Sequence, residues 1–510
     1  MLRVGPRFRR VEPRRRARGF VLGLLAGLPR KNCWTLAEQA GDETPDGMQH
    51  LLARARWDAD GVRDDVRSFV VEHLGDPQAV LVADETGDLK KGTATAGVQR
   101  QYTGTAGRIE NAQVAVYLGY ASSAGYTLVD RELYLPACWI EDRARCEAAG
   151  IAQDTVFATK PELAWQMIER AIIAGVPFGW FTGDEVYGGN GKLRIRLETA
   201  QIRYVLAVSR DHRVPAGAGR TIRADALARR LPRHAWQRLS AGPGAKGQRY
   251  YDWAWITITH PGPGQRWLLI RRHQRTGELA FYRCYAPQPV TLAALVAIAG
   301  RRWTIEENIQ AGKGLAGLDE HQVRTWTSWH RWVTLAMLAA AFLAVAAAER
   351  RAHPSPDGLI PLTRNEIATL FASLIISPPG GARYRLRWSA WRRRHQYRAQ
   401  KCHYQRQAAQ SPRRSRSTAG VLEEAARQQQ PEDHHEISVV ARLVTPGGEG
   451  PRGAAGHRSS EKLEITQRNF PERDPLANRG GLGTLPRDRA QEARRGSLPC
   501  APRIGPRRPP

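Results

Sequence analysis

Paired cysteines are missing from this 510-residue chain: the six it has (Cys33, Cys138, Cys146, Cys284, Cys402, Cys500) are scattered, with no Cys-x-x-Cys. That argues against a disulfide framework or a structural zinc site and suits a reducing cytosol. Long apolar runs are missing too. The longest, residues 333–348, falls short of the ~20 residues a membrane span needs and is rich in alanine, so it reads as a buried core helix. A brief apolar stretch at 20–28 follows arginines as in a signal peptide, but no convincing small-residue cleavage pattern comes after it. Acidic residues are scarce locally, with one in residues 1–31 and none in 383–416.

What is present is positive charge: 77 Lys and Arg against 49 Asp and Glu, a net +28. At 42 % hydrophobic residues there is apolar material for a sizeable core, which excludes wholesale disorder. A charge of this size points to a polyanionic partner, nucleic acid or an anionic membrane surface. Its distribution is uneven. Residues 1–31 carry +9, 32–209 carry −8, 210–302 carry +13, 303–382 carry −1, 383–416 carry +12 and 417–510 carry +3.

Five segments follow from composition and periodicity. Residues 1–31 read as a basic, poorly ordered arm, and 32–76 as a small helical domain with Leu51, Leu52, Val62, Val66, Phe69 and Val70 at helical spacing. Residues 77–350 alternate strands and helices, with strands expected at 79–83, 111–120, 126–135, 178–182 and 204–209. Helices are expected at 161–174 and 192–200. A β-rich, basic insertion at 210–290 breaks that rhythm. Residues 351–410 form a basic C-terminal segment, and 411–510 a low-complexity tail expected to be disordered. The fold class is α/β, a mixed sheet flanked by helices.

Two carboxylates stand out. Asp84 and Asp184 each follow a predicted buried strand directly. An ionised carboxylate there is costly unless paired or bound to a cation. On neighbouring strands the two would meet, and a divalent metal would relieve their repulsion; oxygen-only ligands suit Mg²⁺ or Mn²⁺. Taken singly, each also reads as an ordinary cap. A third acid lies on a helix where Arg302, Glu306 and Lys313 share one face, with Glu307 turned about 100° away. Alone, that stripe reads as a salt-bridged helix.

Together these features resemble a family. Val82-Ala83-Asp84-Glu85-Thr86-Gly87 and Phe181-Thr182-Gly183-Asp184-Glu185-Val186-Tyr187-Gly188 resemble the two aspartate motifs of the DDE transposases of bacterial insertion sequences. Arg302-x3-Glu306-x6-Lys313 has the spacing of the Tyr-Arg-Glu-Lys signature in the branch with a β-rich insertion, and 317–324 is also similar to that branch. The signature's tyrosine position falls on Ala299, so that contact is absent or supplied elsewhere.

The resemblance implies an RNase H-like catalytic core in which Asp84, Asp184 and Glu306 bind two Mg²⁺ (or Mn²⁺) ions. It implies cleavage at transposon ends and strand transfer into target DNA, with Arg302 and Lys313 on the DNA backbone. The partners are then double-stranded DNA (terminal inverted repeats and target), bound as a dimer, with no membrane, in the bacterial cytoplasm at the nucleoid. Two readings compete with it: a catalytically inactive DNA-binding protein derived from a transposase, and a metal-dependent nuclease without strand transfer.

Other signals are weaker. The glycine-rich 188–192 does not match phosphate-loop spacing and reads as the turn after Asp184. Lys90 and Lys91 are candidate DNA-backbone contacts, or a solvated loop. Trp236, Trp253, Trp255 and Trp267 suit base stacking, but core packing suits them better. His321 and His330 read as structural. The acid-free run containing Arg392, Arg393 and Arg394 reads as a basic helix lying on DNA.

Overall fold

The computed structural model describes residues 1–410 except 217–218, 245–246, 354–358 and 377–378, with side chains up to 406. The expected disordered tail, 411–510, lies outside the described residues. Those described fall into two units, 1–379 and 380–410.

Four helices open the chain: α1 (Val11–Leu25), α2 (Cys33–Gln39), α3 (Asp46–Ala53) and α4 (Ala59–Leu74). The first corrects an expectation, since residues 1–31 form no loose arm. Val4, Phe8, Phe20 and Leu24 are buried, Phe8 stacks on Trp57, and Phe20 meets Trp332 edge-on. The arginines hid this apolar stripe in the sequence, and several are neutralised locally. Arg7 bonds Asp65, Arg3 bonds Glu72, and Arg16 pairs with Asp42. Three of the arm's ten basic residues are thus matched by acids of the segment that follows.

Next come β1 (Val80–Leu89), β2 (Gln99–Thr103), β3 (Arg108–Ala121) and β4 (Tyr126–Leu133), then α5 (Ala137–Glu141), α6 (Arg143–Ala148) and α7 (Lys160–Ile173). They lead to β5 (Trp180–Gly183), α8 (Glu185–Gly188), α9 (Gly191–Thr199) and β6 (Arg203–Val208). β1, β5 and β6 are parallel neighbours, while β3 runs antiparallel to β1. β2 and β4 share the outer edge of β3. This is the expected mixed α/β sheet flanked by helices.

The insertion comprises β7 (Arg213–Pro215), β8 (Thr221–Arg223), α10 (Ala224–Arg229), β9 (Gln237–Gly244), β10 (Gly247–Thr257), β11 (Gln265–Arg272) and β12 (Leu279–Ala286). It is no free-standing subdomain. β12 pairs with β6, and the sheet continues through β11 and β10 to β9. Val208, Leu268, Ile270 and Phe281 make a local core, with Trp236 packed against it. Trp253 and Trp267 are buried and Trp255 stacks on Trp267, so packing accounts for these aromatics.

Helices α11 (Leu292–Arg301), α12 (Trp303–Ala316), α13 (Trp326–Arg351) and α14 (Arg364–Leu374) complete the first unit. α13 is long and apolar enough to cross a membrane, yet most of it is buried inside the fold. There it packs on α1, α4 and β4, as the core-helix reading expects. Two glycines make room around α12, Gly119 for the Ile305 side chain and Gly300 for the backbone of β9. A Cβ at Gly119 of β3 would lie 2.7 Å from Ile305, and one at Gly300 would run into the Ala241 carbonyl of β9. Arg249 donates to both Ala241 O (3.1 Å) and Gly300 O (3.2 Å), fastening the insertion to the turn before Arg302. The second unit contains α15 (Ala382–Gln410).

Candidate active site

β1 is longer than expected. It does not stop at Asp84 but runs on to Leu89, because β3 keeps pairing with it after β5 has ended. The site survives this correction. Ala83 is level with Gly183 in the parallel pair, so Asp84 and Asp184, each one residue further on, stand side by side.

Strand alternation sends Asp84 and Glu85 to opposite faces. Glu85 faces α7 and α8, where Lys160 Nζ donates to Oε1 (2.7 Å) and the buried Tyr187 hydroxyl donates to Oε2 (2.9 Å). Asp84 faces the start of α12. Its Oδ1 accepts from the Glu85 N–H at 2.8 Å. Burial, then the charges of Asp184 and Glu85, push its carboxyl well above the ordinary 3.8, while Arg302 pulls the other way. Asp184 caps α8, accepting from the Val186 N–H at 2.8 Å.

Glu306 lies on the first turn of α12 and bonds Arg302 at 2.8 Å. Burial lowers the Arg302 pKa, but Glu306, Asp84 and the Tyr282 hydroxyl outweigh it and raise the net value. Arg302 therefore links the helix carboxylate to the strand pair. Tyr282 stands near it, while Ala299, at the signature's tyrosine position, is buried in α11. Glu307 is turned away as expected, lining a separate cavity with Tyr126, Gln310 and Arg364. Among the described residues, no group of three or more His, Cys, Asp and Glu side chains is placed to hold a metal ion. The structure brings Asp84 and Asp184 together and leaves Glu306 on Arg302.

Lys313 and Lys90 occupy a second cluster. Lys313 Nζ lies 3.7 Å from Asp88 and 4.0 Å from Asp319. His321 Nε2 is 2.9 Å from Asp88 Oδ2, and Lys90 Nζ is 3.3 Å from His321 Nδ1. His321 hydrogen bonding holds the Asp88 carboxyl low against its burial. His321 and His330 are both pushed down by burial, in line with structural roles. Lys91 is exposed in the loop after β1. Arg393 and Arg394 are exposed and Arg392 partly so on α15; three consecutive positions point in three directions around a helix. Reading the sequence missed Glu85, Lys160 and Tyr187 as a supporting set, although Glu85 and Tyr187 stand in the two aspartate motifs themselves. Lys160 had no local signal.

Residues 3–249 match the family model of the DDE superfamily endonucleases. That span takes in both strand aspartates and begins ahead of α1. Over 195 residues the chain is 31 % identical to a protein of Microchaete diplosiphon described as a probable transposase for insertion sequence element IS701. The match covers 38 % of this chain and 48 % of that protein, so the chain spans about half the length of the curated relative it matches. The resemblance to a DDE-type insertion-sequence transposase is borne out.

Proposed function

We propose that this chain is a DNA transposase that cuts at transposon ends and transfers the freed strand into target DNA. The observation that carries the reading is the register of β1 and β5, which sets Asp84 beside Asp184 with negative charge in excess. An all-oxygen pair suits a hard divalent cation, Mg²⁺ or Mn²⁺. The carboxyl of Asp84, held above its ordinary range, is the group such a cation would return to its ionised form. Asp84 and Asp184 would hold the metal, and Glu306 would complete the set on leaving Arg302. Bound there, two ions supply activation of the attacking oxygen and stabilisation of the leaving one.

The chain's own groups orient the site. Lys160 and Tyr187 hold Glu85 off the reacting face, and Arg302 brings positive charge against a scissile phosphate. Lys91, with Arg392, Arg393 and Arg394, supplies the proposed backbone contacts, while Lys313 and Lys90, drawn onto Asp88 and His321, support the strand instead. The substrate is double-stranded DNA carrying terminal inverted repeats, engaged by a dimer at the nucleoid in the bacterial cytoplasm.

The test is metal-dependent cleavage of DNA carrying the matching repeats. Equal cutting by Asp184→Asn and the wild type overturns the assignment. One observation favours a second reading, a DNA-binding protein without catalysis: Glu306 is engaged by Arg302. That reading requires salt-sensitive binding and no cutting with any metal.

A further inference from the structure

A further cluster of charge, apart from the two already described, lies at the root of the insertion, on the α8–α9 side of the sheet. In the row across the strands, Ala83 is level with Gly183, Gly183 with Leu206, and Leu206 with Arg283 of β12. At ~4.8 Å per strand, Arg283 stands roughly 10 Å from the strand end that carries Asp184.

Arg283 is only 7 % exposed, and its Nε has no hydrogen-bond partner. Its Nη1 is 3.3 Å from His212 Nε2. Arg194 of α9 donates to the Gly188 carbonyl of α8, and Gly188 packs on Leu206 and Ala207 of β6, where Leu206 is level with Arg283. Burial first, and then Arg194 among its neighbours, lowers the Arg283 pKa. The nearby carboxylate, Glu198, is already occupied. It takes Arg266 at 2.7 Å and the Tyr204 hydroxyl at 2.6 Å. Among the described residues, neither Arg194 nor Arg283 has an ion-pair partner.

A buried guanidinium with an orphaned donor, and a second guanidinium on the helix packed beside the neighbouring strand, form a costly arrangement without an anion. Around them His212 is pushed down to about 4, by burial first and then by Arg194 and Arg283. A neutral imidazole there accepts from Arg283 and adds no third charge. Arginine's planar fork matches phosphoryl oxygens, and the cluster borders the turn that follows Asp184.

We propose that Arg194, His212 and Arg283 form an oxyanion-binding notch that takes a phosphoryl group. Resting on the DNA-processing reading above, the occupant is a backbone phosphate of DNA passing the strand ends; free phosphate offers the same chemistry.

The experiment uses the full chain, wild type, Arg194→Gln and Arg283→Lys. Melting is followed in inorganic phosphate against chloride at equal ionic strength, and binding to a duplex is followed against salt. The expected result is phosphate stabilisation in the wild type that Arg194→Gln loses, and a duplex salt slope reduced by about 1 in that variant. Arg283→Lys keeps a cation in the buried position and should weaken both responses while still folding. A duplex effect without a phosphate effect assigns the notch to DNA alone. A phosphate effect without a duplex effect assigns it to the free anion. Unchanged responses in both variants overturn the notch.

Using Asp184→Asn as background separates the two ideas. Loss of cutting there with the notch response intact leaves both standing. Cutting-competent protein indifferent to Arg194→Gln defeats the notch alone, and a notch response in protein that never cuts defeats the transposase reading alone.

Discussion

The strand β1 and the helix α12 touch at two levels, and the levels differ in charge. At the first, Asp84, Asp184 and Glu85 put three acids near one strand end, and Arg302 bonds Glu306 beside them. At the second, four residues along the strand, Asp88 meets His321, Lys90 and Lys313 and is held in its ionised form. The first level keeps a surplus of negative charge, and the second is closed and compensated. One pair of elements thus serves as scaffold at one end and carries the proposed site at the other. The buried balanced end fixes where the unbalanced end is presented.

The largest effect that would break this contrast is on cutting. Asp184→Asn is expected to reduce metal-dependent DNA cleavage to background in a gel assay while leaving the fold intact. Next, Glu306→Gln should cost far more activity than Glu307→Gln, since Glu307 faces a different cavity; the reverse order would place the wrong helix face at the site.

At the second level, His321→Ala should destabilise the chain by about 3 kcal/mol in denaturant unfolding, because it strips a buried carboxylate of its donor. No comparable loss is expected from Asp84→Asn. That substitution sharpens the comparison through pH. The folded Asp84 carboxyl sits above its ordinary 3.8, so the native state binds its proton more tightly than the unfolded chain. Its contribution is fully present below pH ~4 and is lost as pH rises through the raised value. Metal-free wild type should therefore lose melting temperature across that rise, Asp84→Asn should lose less, and Mg²⁺ should narrow the difference. The smallest effect is that of Lys91→Ala, which should lower the salt slope of DNA binding by no more than about 1 without moving stability.

Much of the first level was legible in the sequence because its signal is local. An apolar run ending in aspartate marks a strand end, and an i, i+4 spacing on a helix marks a shared face. The second level had no such signal. Asp88 and His321 lie far apart in sequence, and the extension of β1 that carries Asp88 depends on pairing with β3 rather than on its own polar residues. β2 was missed for the same reason, since Gln99–Thr103 is polar and is a strand only through its partner. Arginine content was misleading at 1–31, where charge concealed the buried stripe of Phe20 and Leu24. In the insertion, composition indicated strands but not that they would join the main sheet.

That junction has a mechanical consequence. A flap on a flexible stalk would let the protein close around whatever it held. Here β12 pairs with β6 from Phe281 to Tyr285, and Arg249 ties β9 to the helix turn before Arg302. The insertion and the strand aspartates therefore share one continuous sheet rather than a hinge. A duplex held as proposed across both would itself have to take up the misfit, so that the cost of bending it would select for pliable sequence.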